Sequence, residues 1–502
     1  MRYWGISALS HDASLAVVQD DEVLFAAHSE RYSRVKNDPL LAPGLLAEAL
    51  TYGPPDAIAW YERPMLKKFR HARARQWTDA RSRADIPRLY LRTLGLPFRK
   101  PRIEYADHHH SHAAGGFATS PFTEAAVIVA DAIGEFRTFT IGHYSADGRY
   151  TTLHHRSYPD SLGLLYSAFT RRCGYRPNED EYIVMGLAAH GEPRYADAIY
   201  EELLDARPPS FRLKLNPHRG IGNWLPAASA EDLAASIQRV TENLMLDAAR
   251  WARNRTGSPN LVLSGGIALN CVANAKLARD AGFEHIWIFP NPGDAGSSVG
   301  AVAAVAGRRL RWPGPYLGTA IPGEYPVRDL VRELLTRGMA GVACGRAEFG
   351  PRALGNRSLL ADPRLADMKD RVNLVKGREP FRPFAPVVRI ERAHELFDLP
   401  VPVSPFMQFT ARCRAPDEYA AIVHHDGTSR VQTVDRAAHP GLYALLDMWE
   451  EKTGCPVLLN TSLNSRGEPL LNSAEDVAAF SARTGLPVYP GRPAYPARVE
   501  RP

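Results

Sequence analysis

The sequence predicts an α/β protein of two domains, the first a duplicated three-strand meander with helices. Three observations carry this expectation. The chain has 502 residues, too many for one ordinary core. Its 45% hydrophobic and 23% charged residues are typical of a globular protein. Short apolar runs bounded by polar turns occur twice in the same order, and two later runs end in glycine turns that open helices.

The first 35 residues read as three strands: Tyr3 to Leu9, Ala13 to Gln19 and, after the polar turn at 19–22, Val23 to Ala27. The pattern returns in Ala125 to Ala130, which ends at Asp131, then Arg137 to Ser145 and, past Ala146-Asp147-Gly148, Tyr150 to Tyr158. Such a repeat is a duplication, and a duplicated meander with helices is the plan of the actin and sugar-kinase type ATPases. Apolar positions Leu233, Ile237, Leu244 and Ala248 predict a helix over 228–256. Leu261-Val262-Leu263 then runs into Ser264-Gly265-Gly266, and Ile286 to Phe289 runs into 291–298 (NPGDAGSS). Both are strand–glycine turn–helix units, which present N–H groups and a helix N-terminus at a sheet's C-terminal edge. Arg311 to Pro326 is rich in proline and glycine and reads as a linker. A second α/β region follows to about residue 490, and the prolines of 487–502 predict an irregular tail.

The net charge of +6 is dispersed, so a mild preference for anionic ligands is all it implies. The densest basic stretch, Lys67 to Arg75, reads as a solvated helix face before a nucleic-acid patch. Five scattered cysteines without a CxxC pair predict a reducing compartment and neither a disulfide framework nor a structural zinc site. The polar start and the lack of a run near the roughly 18 apolar residues of a membrane span predict a soluble, cytoplasmic protein.

Four constellations could carry chemistry. In Asp107-His108-His109-His110-Ser111-His112, His108 and His112 are four apart and share a helix face, so both imidazoles could reach one metal. Asp131 and Asp294, at strand ends, could complete an N2O2 shell suited to Fe(II), Mn(II) or Zn(II), or serve only as turn acceptor and N-cap. His11, in His11-Asp12-Ala13-Ser14, is a candidate general base or part of a plain turn. Residues 29–36 (SERYSRVK) could hold an anion, although charge runs of this size are usually solvated. In 345–358 (GRAEFGPRALGNRS), Arg346, Arg352 and Arg357 sit among glycine and proline turns, followed by Lys376, Arg378 and Arg382. Arginine at such turns suits bidentate phosphate binding. Arg430, Asn460 and Ser462 could add anion ligands.

Eleven ordered blocks, GISALSHDAS, ERYSRVK, DHHHSHAA, SLGLLYSAFT, VMGLAAHG, SGGIALNCVAN, NPGDAGSS, EFGPRALGNRSLLADPR, KGREPFRPFAP, HHDGTSRVQTV and PVLLNTSLN, make the chain resemble the O-carbamoyltransferases related to nodulation protein U. That family includes tobramycin, cephalosporin and novobiocin-type antibiotic carbamoyltransferases. The resemblance implies a TsaD-like carbamoyl-transfer domain over 1–310, a linker over 311–326, a YrdC-like domain over 327–490 and an irregular tail over 491–502. It implies that carbamoyl phosphate and ATP give carbamoyl-adenylate in the YrdC-like domain. The carbamoyl group then passes to a hydroxyl of a small-molecule natural product in the TsaD-like domain.

Carried across motif by motif, the resemblance makes His108, His112, Asp131 and Asp294 ligands of Fe(II) or a similar divalent metal. His11 and Lys36 line the transfer site. Gly265, Gly266 and Asn270 form the nucleotide loop. Arg352, Lys376, Arg382, Arg430, Asn460 and Ser462 hold carbamoyl phosphate and ATP, with Mg2+ accompanying the nucleotide. The expected partner is the hydroxyl acceptor, with no nucleic acid and no membrane, and with a homodimer left open. The chain departs from the family at Ile183, where lysine is common, and at Leu463, where phenylalanine is frequent. The alternatives are a threonylcarbamoyl-type tRNA modification enzyme and a non-catalytic nucleotide-binding paralogue.

Overall fold

A computed structural model describes residues 1–73, 86–96 and 101–492. The chain divides into two compact units, one of Met1–Ser33 with Asn37–Pro313, the other of Arg34–Lys36 with the chain from Gly314 onward.

The first unit contains the expected repeat. β1 (Arg2–Ser7), β2 (Ser14–Gln19), β3 (Glu22–His28), β4 (Ala57–Trp60) and β5 (Arg102–Tyr105) form a sheet of order β3-β2-β1-β4-β5. β1, β2 and β3 pair antiparallel, whereas β4 and β5 extend the sheet in parallel. β6 (Ala125–Gly134), β7 (Arg137–Tyr144), β8 (Tyr150–Ser157), β9 (Asn260–Ser264) and β10 (His285–Ile288) form the second sheet, of order β10-β9-β6-β7-β8. Its pairing directions are the same, meander strands antiparallel and later strands parallel. Parallel strands are covered on both faces and so read as unbroken apolar runs, as Leu261, Val262 and Leu263 do.

The fifth strand of each sheet leads into a helix, α1 (His108–Thr119) after β5 and α2 (Ser297–Ala306) after β10. The two helices pack closely at Gly115 and Gly300, where a Cβ on Gly300 would lie 2.0 Å from the Ser111 carbonyl oxygen. Ala113 and Phe117 of α1 join Val127, Val129 and Val262 in one apolar cluster, which fixes the helix on the second sheet. The helix expected over 228–256 runs Ala230–Thr256, with Ser229 as N-cap and Gly257 as C-cap.

The second unit is built on a mixed six-stranded sheet. Its order is Gln432–Val434, Ala385–Arg389, Val457–Ser462, Arg357–Ala361, Met339–Ala343, Val488–Pro490. Leu359, Leu360, Val387, Leu458 and Leu459 are fully buried at its centre.

Several boundaries differ from expectation. The stretch 311–326 is not a plain connector, because Tyr316–Ile321 is a strand paired with Gly345–Glu348. Val488–Pro490, within the tail expected to be irregular, pairs parallel with Met339–Ala343. Gly491 and Arg492 continue in order, with Arg492 bonded to Asp329, whereas 493–502 lie outside the described residues. The side chains of 70–75 in the basic stretch also lie outside them; Lys67 pairs with Glu62 at 2.6 Å. All five cysteines are free thiols. No helix among the described residues is long and apolar enough to cross a membrane.

Candidate metal centre and anion site

The metal-ligand candidates converge in the first unit. Asp107 caps α1 by accepting from the His110 N–H at 3.1 Å, so the helix begins at His108. One turn then stacks His108 and His112 with their Nε2 atoms 3.2 Å apart. Asp131 lies in β6 where the ladder with β7 is interrupted between Ala130 and Gly134, an irregularity that re-aims a side chain. Its Oδ2 is 3.4 Å from His108 Nε2 and 3.9 Å from His112 Nε2. Asp294 is supplied by the turn after β10, with Oδ1 at 3.4 Å from His108 Nε2 and 3.3 Å from His112 Nε2. One donor atom from each of the four residues lies within 4.8 Å of all the others.

These spacings fit a divalent ion. Ligand bonds of about 2.0–2.2 Å put neighbouring donors about 3.0–3.5 Å apart in octahedral or tetrahedral shells. The supporting contacts also suit a ligand set. The Gly266 N–H donates to Asp131 Oδ1 at 3.1 Å, which turns Oδ2 toward the histidines. Gly265 has φ +86, and a Cβ there would lie 2.3 Å from the Ala130 carbonyl oxygen, so glycine is required for this approach. His112 Nδ1 meets Ser297 Oγ at 3.3 Å. Burial raises the pKa of Asp294, but the adjacent His108 and His112 outweigh it and hold the carboxyl well below its ordinary range. Burial opposes protonation of His108 too, yet Asp294 and Asp131 push it well above 6.5. His108 and the carboxylates of Asp131 and Asp294 thus favour one another's charged forms, which a cation would reorganise.

The other histidines of the run turn away. His109 Nδ1 meets Thr140 Oγ1 at 2.8 Å, and His110 stacks on Tyr150 and meets the Tyr144 hydroxyl at 3.2 Å. His11 lies between Asp12, 3.3 Å from its Nδ1, and the Asn178 carbonyl, which accepts from Nε2 at 2.9 Å. Burial lowers its pKa, but the bond and charge of Asp12 dominate and push it up to about 9. As placed, both ring nitrogens face oxygen acceptors, which favours the protonated ring. Lys36 falls in the second unit with Arg34, not in the first with His11. Glu30 and Arg31 of the charge run are buried, which corrects the solvated reading. Ile183 is buried at 2% exposure, an apolar position.

Around the expected nucleotide loop, Asn270 is already occupied. Its Oδ1 caps the following helix through the Ala273 N–H, and its amide pairs reciprocally with Gln238 at 2.9 and 3.1 Å. Gln238 also accepts from the Tyr166 hydroxyl and donates to Glu242. Sequence reading missed this network, because Gln238 looks like one more polar residue of an amphipathic helix.

In the second unit, Asn460 and Ser462 are two apart on Val457–Ser462 and share a face. Lys376, the last residue of the helix Met368–Lys376, is buried and donates to the Ser462 carbonyl, to Ser462 Oγ at 2.9 Å and to Asn464 Oδ1 at 2.6 Å. Burial and the charges of Arg378 and Arg382 hold its pKa well below the usual lysine value, opposed by Glu468. Such crowded cations favour an anionic ligand. Arg382 also pairs with Glu379 at 3.5 Å. Arg352 lies in the turn between Gly345–Glu348 and Arg357–Ala361, and Arg430 ends the strand Thr428–Arg430.

The other arginines of the motif are structural. Arg357 is fully buried and donates to the carbonyls of Cys344, Gly345, Asn356, Thr319 and Asn472. Arg346 donates to the carbonyls of Leu317 and Gly318. Arg378 bonds Asn373 and Pro383 and covers the Phe384 ring. The turn around Arg352 is fixed by residues the sequence did not single out. Glu348 Oε1 accepts from the N–H groups of Leu354, Asn356 and Arg357, at 2.8, 2.9 and 3.2 Å. Tyr316 and Tyr325 donate to the carbonyls of Leu354 and Gly355.

Fold and site together define a two-unit α/β protein with a largely buried His–His–Asp–Asp cluster in one unit and a cationic site in the other. Residues 70–303 match the model of the carbamoyltransferase N-terminus, and 331–489 that of the carbamoyltransferase C-terminus. The chain belongs to the carbamoyltransferase family. It is 37% identical to uncharacterized protein sll1178 of Synechocystis, over 96% of this chain and 94% of that protein. It is 33% identical to nodulation protein NolNO of Sinorhizobium fredii, over 95% and 77%. It is 29% identical to the 3'-hydroxymethylcephem-O-carbamoyltransferase of Amycolatopsis lactamdurans, over 95% of each. Among solved structures, the (R)-2-hydroxyglutaryl-CoA dehydratase component A of Acidaminococcus fermentans aligns with 61% of this chain and 98% of its own at TM-score 0.36 and 13% identity, a likeness too slight to argue from.

Proposed function

We propose that this protein is an ATP-dependent O-carbamoyltransferase acting on a hydroxyl of a small molecule. The second unit, of the YrdC type, makes carbamoyl-adenylate, and the first, of the TsaD type, uses it. Phosphorus balance sets the products of the first step: carbamoyl phosphate, ATP and one water give carbamoyl-adenylate, phosphate and pyrophosphate. In the second step the acceptor oxygen bonds to the carbamoyl carbon, the bond to AMP breaks, and the hydroxyl proton is released.

The observation that carries the reading is the convergence of His108, His112, Asp131 and Asp294 in a chain of this family. Those four residues would hold a divalent ion, Fe(II) by family resemblance, whose charge offsets that gathering on the departing AMP phosphate. His11, its pKa pushed up chiefly by Asp12 with a further contribution from the charge of Asp294, would add positive charge to the same unit. Arg352, Lys376, Arg382 and Arg430 supply charge and directed donors for carbamoyl phosphate and the Mg2+-bound nucleotide. The adenosine of the adenylate supplies binding energy that positions the carbamoyl group.

Purified protein given ATP, carbamoyl phosphate, Mg2+ and Fe(II) is expected to release pyrophosphate, and, with hydroxyl acceptors added, to form a carbamoyl adduct seen by mass spectrometry. Failure to release pyrophosphate under these conditions overturns the donor half. Release without an adduct on any hydroxyl acceptor, but with one on an amine, overturns the acceptor half.

A further inference from the structure

Two side-chain amides in the second unit are locked by backbone carbonyls. Gln432 Nε2 donates to the Leu354 carbonyl at 3.0 Å. Its Oε1 therefore faces the other way and accepts from Asn460 Nδ2 at 2.7 Å. Asn460 Nδ2 spends its second hydrogen on the Ala353 carbonyl at 3.2 Å. Carbonyls can only accept, so flipping either amide would set oxygen against oxygen. Asn460 Oδ1 is thus committed as an acceptor. It is enclosed, Asn460 being 1% exposed, and it has no partner among the described residues. A buried acceptor left unpaired asks for a donor from a ligand.

The surroundings say which ligand. Ala353 follows Arg352 directly, and Asn460 shares a strand face with Ser462, which Lys376 holds. The unpaired oxygen is therefore linked through its neighbours to the cations that suit a phosphate. Carbamoyl phosphate carries an NH2 group where acetyl phosphate carries a methyl group of nearly the same size. A committed acceptor pairs with the first and is left unpaired by the second.

We infer that Gln432 is a positioning residue that holds the Asn460 amide so that its oxygen selects an acyl phosphate bearing an N–H donor. The inference rests on the donor half of the proposed function and names how that site tells carbamoyl from acetyl.

The test is calorimetric titration of the full-length protein with fresh carbamoyl phosphate and with acetyl phosphate. Wild type is expected to prefer carbamoyl phosphate by about 30-fold, about 2 kcal/mol at 1.36 kcal/mol per tenfold. Gln432→Met removes one of the two acceptors that hold the Asn460 amide and is expected to cut the preference to about fivefold. Asn460→Leu is expected to bring the preference near unity. Both variants should leave the acetyl phosphate Kd unchanged or tighter. Structural damage would weaken both ligands alike and leave the ratio intact. An unchanged ratio in either variant that binds acetyl phosphate, or no preference in wild type, overturns the inference. Wild type that selects carbamoyl phosphate but releases no pyrophosphate with ATP sinks the adenylation reading and leaves this inference standing. Wild type that binds neither acyl phosphate sinks both.

Discussion

His439 should make the second unit acid-sensitive in a way one substitution removes. Its Nδ1 accepts from the Leu442 N–H at the start of the helix Pro440–Thr453, and its Nε2 meets Asn356 Oδ1 at 3.0 Å. The rings of Tyr316 and Tyr325 stand edge-on to it, at 5.2 and 5.3 Å between centroids. The imidazole is neutral here, since a proton on Nδ1 would oppose the Leu442 N–H. Burial pushes its pKa down to about 4, against the opposing charge of Glu348. Between pH 4 and the ordinary value of 6.5, unfolded chains bind a proton at this position and folded chains do not. Stability therefore rises with pH through that window and falls as the medium is acidified. A difference of about 2.5 units at 1.36 kcal/mol each makes the loss about 3 kcal/mol. His439→Asn keeps a capping oxygen and removes the titration. Urea denaturation followed by fluorescence, to which buried Trp449 of the same helix contributes, should show the wild-type advantage over the variant shrinking by about 3 kcal/mol from pH 7 to pH 4. An advantage that stays flat over this range refutes the reasoning.

Three further outcomes are expected. His112→Ala should lower affinity for Fe(II) by at least about 100-fold, read by metal analysis after dialysis; full retention of metal would remove His112 from the ligand set. Gly265→Ala forces a Cβ to 2.3 Å from the Ala130 oxygen. The strain, about 1–3 kcal/mol, should lower the melting temperature and, by displacing the Gly266 N–H from Asp131, weaken metal binding about tenfold; wild-type values for both would show that the glycine is dispensable. Lys376→Met should abolish calorimetric binding of carbamoyl phosphate while leaving the melting temperature equal or higher, since a desolvated amine leaves the interior; unaltered binding would dismiss Lys376 as an anion ligand.

The repeated meander was legible because antiparallel strands with short turns leave a local signal, and each was readable to within a few residues. The pair His108 and His112 was legible because four residues make a helical turn. The aim of Asp131 was not, because a ladder irregularity leaves no periodic trace. The arginine motif misled by half: Arg352 is half-buried in a turn, whereas Arg357 is fully buried and spent on five carbonyls, and composition does not tell these apart. Tyr316–Ile321 was hidden in the expected linker because its partner strand starts 24 residues later, at Gly345. Gln432 was missed although its motif was read, since its meaning depends on contacts to residues far away in sequence.

The duplicated sheets have a consequence for how the candidate metal site is assembled. His108 and His112 follow the fifth strand of the first sheet, and Asp294 follows the fifth strand of the second. Asp131 interrupts the first strand of the second sheet, at the place where its counterpart in the first leads into His11 and Asp12. Neither copy of the repeat owns a complete ligand set. An ion held by these four residues would be captured tightly only after both copies have folded and docked, so it would act as a clasp that closes on a finished unit and passes over a half-made one. Chelation should therefore loosen the pair of sheets from each other before it melts either.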